Sequence, residues 1–165
     1  MSVKSVIESI AELIELHQQL NQRAAEKVDA IKANDVSTLS QLVREEAKLV
    51  RAVQIAESSR MKQAKAFMMS KGTGTEDVTV QTLLQYVTEE EKAVLLKLQK
   101  ALRQEVHQLK EQSDHTRELL EESLRFVNLS LDLMVPQAED VHYAKPQHKQ
   151  EQTELYSRSV FDSKA

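Results

Sequence analysis

The chain has 165 residues, 22 basic and 26 acidic side chains and a formal charge of −4, which suits one domain or one elongated bundle. Two glycines and two prolines leave little room for the turns of a multi-stranded sheet, and 4 % aromatics without Trp make any core aliphatic and thin. Acids and bases are mixed along the chain instead of forming a basic stripe, which argues against a nucleic-acid partner; the lack of cysteine removes disulfides and thiol chemistry.

Heptad spacing predicts a first helix from about Ser2 to Lys32. Val3, Val6, Ile10, Leu13, His17, Leu20, Ala24 and Ile31 form its stripe, widened by Ile7, Ile14 and Val28. Asn34-Asp35 breaks the pattern, and either residue can cap the next helix. So short a connection makes the two helices antiparallel neighbours. The second helix is predicted over Val36–Ser70, with Leu39, Leu42, Val43, Leu49, Val50, Val53, Ala56, Ala64 and Phe67 facing in. Glu46 and Arg60 interrupt this stripe. Folding the hairpin about Ala33-Asn34 brings Glu46 near Arg23 and Arg60 level with Glu8 or Glu12. Inward charges so placed read as register devices.

Ser70 to Thr75, with both glycines, is a loop. A short helix is predicted over Glu76–Val87, folding Val80, Leu83, Leu84 and Val87 over the open end of the hairpin. The longest helix follows, from Thr88-Glu89-Glu90-Glu91, a capping-box pattern, to the stop at Pro136. At about 1.5 Å per residue it spans roughly 70 Å. Its apolar face has two blocks. One is Leu95, Leu98, Leu102, Val106 and Leu109; the other is Leu120, Leu124, Val127, Leu131 and Met134. Lys110 to Glu118 between them has no apolar side chain. Past Pro136 the residues to Gln152 are mostly polar and cannot bury enough to order themselves. Apolar character returns at Leu155, Tyr156, Val160 and Phe161, so 136–165 is expected to be a flexible tail with a sticky end. The expected fold is therefore all-α, an elongated antiparallel helical bundle or coiled coil over 1–135.

Signals of catalysis are weak. His107-Gln108-Leu109-Lys110 resembles the phosphorylatable segment of a phosphotransfer bundle, but Glu111 stands where a small residue would leave the imidazole accessible. Glu139 and His142 have one Glu-x-x-His spacing of a di-metal bundle, without the second copy such a site needs. His17 on the first stripe reads as a polar register residue. Gly72-Thr73-Gly74-Thr75 lacks the lysine and preceding strand of a phosphate loop. No enzyme, cofactor or metal is expected. No run approaches the ~20 apolar residues of a membrane span, and Met1-Ser2-Val3-Lys4 enters an amphipathic pattern directly, so no membrane insertion and a cytoplasmic location are expected.

Taken in order, the heptad helix, the Asn-Asp turn, Leu39-x-x-Leu42-x-x-x-Glu46-x-x-Leu49-Val50, and Arg60 make a pattern. It continues with Leu119-Leu120-x-x-Ser123-Leu124-x-Phe126-Val127 and ends in Phe161-Asp162-Ser163-Lys164-Ala165. Over nearly the whole chain this resembles the FlgN family of flagellar type III export chaperones. The resemblance implies a bacterial cytoplasmic chaperone that binds the C-terminal helical segments of hook-associated (hook–filament junction) proteins, prevents their aggregation and brings them to the cytoplasmic domain of the flagellar export gate. It places substrate binding in the C-terminal part, here Leu119 to Met134 and the tail. A tyrosine in that part is tied to substrate or gate handling, and Tyr143 is the nearest candidate. The candidate substrate-binding residues are Leu119, Leu120, Leu124, Val127, Leu131 and Met134, flanked by Phe126 and Tyr143. The same row is also suited to a homodimer seam, in which case the chain is a dimeric coiled-coil structural or signalling adaptor without an export client.

Overall fold

The computed structural model describes residues 3–73 and 78–135. Four helices follow in order: α1 (Val3–Lys32), α2 (Val36–Ser70), α3 (Val80–Leu83) and α4 (Glu89–Met134), and no strand occurs among the described residues. The all-α expectation holds.

The α1–α2 hairpin is made by two local devices. Asn34 takes a left-handed φ of 56°, tolerated by a short polar side chain. Its amide donates to the Ile31 carbonyl at 3.0 Å while the Asp35 amide reaches Ala30 at 2.9 Å, the paired closure of a Schellman motif. Asp35 then caps α2, accepting from the Thr38 amide at 3.0 Å and the Thr38 hydroxyl at 2.6 Å. The end of α2 repeats the first device with Gly72 at φ 74°. There the Gly72 amide donates to Met69 and the Thr73 amide to Met68.

Across the hairpin, Lys27 meets Glu46 at 2.7 Å and Arg23 meets Glu45 at 3.0 Å. The expected pairing of Glu46 with Arg23 is thus displaced by one turn, to Lys27. Arg60 does not reach Glu8 or Glu12 across the seam; it pairs with Glu57, one turn back on α2. A guanidinium served on its own helix needs no cross-strand carboxylate. His17 also turns to its own helix, with Nδ1 2.7 Å from the Leu13 carbonyl.

The short helix is briefer than predicted. Val80–Leu83 alone is helical; Thr79 is extended (φ −105°, ψ 165°), and 84–87 is turn and bend. Thr79 and Thr82 exchange side-chain and backbone bonds, which starts the helix at Val80, four residues after the expected Glu76. Glu76 itself lies outside the described residues. Thr88 then begins a second capping box, its amide accepted by Glu91 at 3.0 Å, so the chain restarts as α4.

The main core sits at the open end of the hairpin. Val3, Val6, Ile10 and Ile14 of α1 pack with Ala64, Phe67 and Met68 of α2, Val78, Leu83 of α3 and Leu95 of α4. Val6, Ala64, Leu83 and Leu95 are wholly buried. Leu95 beside the start of α1, and Glu105 bonded to Asn21 further along, make α4 parallel to α1. Helix α1 is therefore the central rod, with antiparallel α2 and parallel α4 both laid on it and scarcely touching each other. Away from the open end the buried seam includes Leu20, Ala24, Ala30, Leu42 and Ala56, the three alanines being small enough to let backbones approach.

Candidate partner-binding site

Parallel packing decides what α4 leaves uncovered. Its α1-facing side carries Leu95, Leu98, Leu102 and Leu109, then Gln112 and the buried Thr116. Thr116 bonds the Gln112 carbonyl at 2.8 Å, which lets a polar side chain lie against the end of α1. The polar stretch after Lys110 thus belongs to the covered half of the helix. Beyond Thr116 every residue to Val135 except Leu119 and Ser130 is exposed, while the helix continues to Met134. Arg117 to Met134 projects past the hairpin by roughly 27 Å at about 1.5 Å per residue.

At about 100° per residue, the α1-facing side runs on into this projection. Leu120, Leu124, Val127, Leu131 and Met134 fall within about 80° of arc. Leu124 is 62 % exposed and Met134 78 %. A second row, Leu119, Phe126, Leu129 and Leu133, lies on the other flank, with Phe126 71 % and Leu133 80 % exposed. Between the rows run Ser123 and Ser130, whose hydroxyls donate to the carbonyls of Leu119 and Phe126 at 2.8 Å each. Their donors are engaged and their bulk is small, so a partner backbone can approach closely. Glu118, Glu121, Arg125, Asn128 and Asp132 take the remaining side, and Glu122 falls within the second row. The apolar arc is about twice the width that one neighbouring helix covers.

The structure brings seven of the eight sequence-predicted residues, Leu119, Leu120, Leu124, Phe126, Val127, Leu131 and Met134, onto this projection. Leu119 is half-buried and the others are exposed. Tyr143 lies outside the described residues, as do Glu139, His142 and the tail. Sequence reasoning missed Leu129 and Leu133. Leu133 completes a heptad with Leu119 and Phe126, both among the expected residues, and Leu129 lies beside them on the helix.

Elsewhere the chemistry is quiet. His107 is largely exposed and sits 3.4 Å from Glu111, the residue that follows Lys110. No group of three or more His, Cys, Asp or Glu side chains that could hold a metal occurs among the described residues. No helix among them is long and apolar enough to cross a membrane.

Comparison with known proteins agrees with this architecture. The family model described as FlgN protein matches residues 1–151. The chain belongs to the FlgN family. A FlgN-family chain is a flagellar export chaperone in general terms, a protein that binds flagellar proteins during assembly. The chain is also similar to the uncharacterized protein YvyG of Bacillus subtilis (strain 168), with 31 % identity over 165 residues and the whole of both chains covered. No solved structure matches. The distal end of α4 is exposed and apolar, on a helix whose proximal half is packed against α1.

Proposed function

We propose that this chain is a cytoplasmic chaperone for the C-terminal helical segments of hook-associated, hook–filament junction proteins, which it keeps from aggregating and delivers to the cytoplasmic domain of the flagellar type III export gate. One observation carries the reading: the side of α4 that α1 covers continues past the end of α1 as an exposed apolar face. An amphipathic client helix laid there takes the place that α1 occupies over the first half of α4. The substrate-facing residues are Leu119, Leu120, Leu124, Phe126, Val127, Leu131 and Met134, joined by Leu129 and Leu133. A client that presents two helices, or one that wraps, fills the wide arc.

The test is capture of a purified hook-associated protein's C-terminal segment by the intact chain. Replacing Leu124 and Leu131 with Asp abolishes capture and leaves the helical circular dichroism nearly unchanged. Full capture by that variant rejects the site; global unfolding shows the row to be core. A chain ending at Pro136 tells whether the tail and Tyr143 share in binding.

The heptad spacing of the same row favours a second reading, a homodimer through α4 acting as a structural or signalling adaptor. Sedimentation decides between them. A stable dimer that the Leu124→Asp/Leu131→Asp change converts to monomer, with no client bound, establishes the adaptor.

A further inference from the structure

A second surface lies on the anchored half of the molecule, far from the projecting end of α4. Because α2 and α4 straddle α1 without closing on each other, a groove of about 590 Å³ opens between them. Its floor is apolar: Ile10 of α1, Leu102 and Val106 of α4, and Val78 and Val80 beside α3. Along α4 it extends from Gln99 to Lys110, roughly 17 Å or three helical turns.

The rim is basic. Arg103 and Lys110 stand along the α4 edge with His107 between them, and Arg60 on the α2 edge. Among the described residues Glu57 is the one acid in the lining, and Arg60 already holds it at 2.8 Å through Nε. Glu111 lies outside the lining, 3.4 Å from His107. Glu105 points the other way, to Asn21 and Gln18 of α1. Arg103 and Lys110 have no carboxylate partner among the described residues. Lys100 lies beside Arg103 and His107 and extends the positive edge, on a chain whose overall charge is −4. An apolar trough with unpaired cations along one bank is complementary to a helix with one apolar face and carboxylates flanking it. A nucleic-acid strand has no apolar ridge for the floor.

We propose that this groove is a second docking site, separate from the client face, for an acidic amphipathic helix of about three turns. Its apolar face seats on Leu102, Val106 and Val80, and its carboxylates bond Arg103 and Lys110. Occupation of the groove leaves the distal half of α4 open, so the protein can hold two helical partners at once.

The experiment uses the full chain and a fluorescent synthetic peptide of roughly four helical turns, with Leu along one face and Glu elsewhere. A matched peptide with Lys in place of Glu is the control. Saturable rise in anisotropy with the Glu peptide and none with the Lys peptide is expected. Arg103→Glu/Lys110→Glu weakens binding by about tenfold or more, and Arg103→Ala/Lys110→Ala by less. Leu124→Asp/Leu131→Asp leaves binding as it was. Absence of saturation, equal binding by the charge-reversed chain with its melting curve intact, or loss in the distal variant overturns the proposal. Two other occupants overturn it too. A wild-type dimer that the Arg103→Glu/Lys110→Glu change makes monomeric assigns the groove to a second copy. Peptide binding only by a chain ending at Pro136 assigns it to the chain's own tail.

Discussion

Asn21 of α1 donates from Nδ2 to the Glu105 carboxylate at 2.8 Å and to the Glu105 backbone carbonyl at 3.0 Å. The amide is buried, and its own Oδ1 has no protein partner. One side chain thereby fixes α4 against α1 both along the axis and in rotation, as single buried amides do in coiled coils. Its position is what aims the distal face of α4 beyond the hairpin.

Replacing Asn21 with Ala removes both of its bonds to Glu105, one of them to the carboxylate. Urea unfolding should show a loss of about 1–3 kcal/mol. Gln18→Ala, which removes only a 3.3 Å exposed bond to Glu105, should stay within ~0.5 kcal/mol. Equal effects from the two would show that Asn21 does not set the helix pair.

The hairpin register has its own check. Lys27 and Glu46 are both mostly buried, at 13 % and 21 % side-chain exposure, so a double-mutant cycle to Ala should return a coupling of about 1 kcal/mol. The same cycle on Arg60 and Glu8 should return none. Coupling in the second pair and none in the first would mean the helices are paired one or more turns away from the positions described.

Core and distal face of α4 should respond differently to truncation. Leu83 and Leu95 are wholly buried in the open-end cluster, and either Leu→Ala change should cost about 2–5 kcal/mol. Leu124→Ala and Leu133→Ala should fall within ~0.5 kcal/mol in the client-free protein. A core-sized loss at Leu124 would place it in a buried seam, as a stable dimer requires.

Acid should weaken the hairpin through two carboxylates. The hydrogen bond from Arg60 holds Glu57 below its ordinary pKa, and the bonds from Thr38 do the same for Asp35. Both groups bind protons more readily unfolded than folded. Their stabilisation is thus present above the unfolded carboxylate range, about pH 4, and is lost as pH falls through the lower folded values. The urea midpoint of Glu57→Gln should lie below that of the wild type at pH 7, with the gap narrowing at pH 3. A gap that persists at pH 3 would assign the effect of the substitution to packing.

Much of this was legible in residue order. The two long helices of the hairpin could be placed from heptads and one Asn-Asp turn, because caps and periodicity are local and need no tertiary partner. Thr88 and Glu91 announced α4 for the same reason. The third helix was overextended because Thr79 and Thr82, only three residues apart, make their own box, and the apolar spacing around them gives no hint of that. Arg60 was assigned a partner across the seam when Glu57, on the same face one turn back, lay closer. In the distal face, one apolar row is evident from spacing, with Leu119 and Phe126 beside it, while Leu129 and Leu133 are not, since a helix that is bare on two flanks departs from the single stripe that periodicity seeks.

By itself the sequence determined that the chain is helical, where its long helices begin and end, and that the far end of α4 is apolar. Those properties follow from propensity, capping and side-chain spacing, which act over a few residues. Tertiary structure alone decided that α4 runs parallel to α1, and that the polar stretch after Lys110 lies against the hairpin. It also decided that α2 and α4 part to leave a groove with a basic rim. These depend on which long-range contacts close together, and here the buried cluster at the open end and the Asn21–Glu105 bond select one arrangement from the several that the same leucines allow.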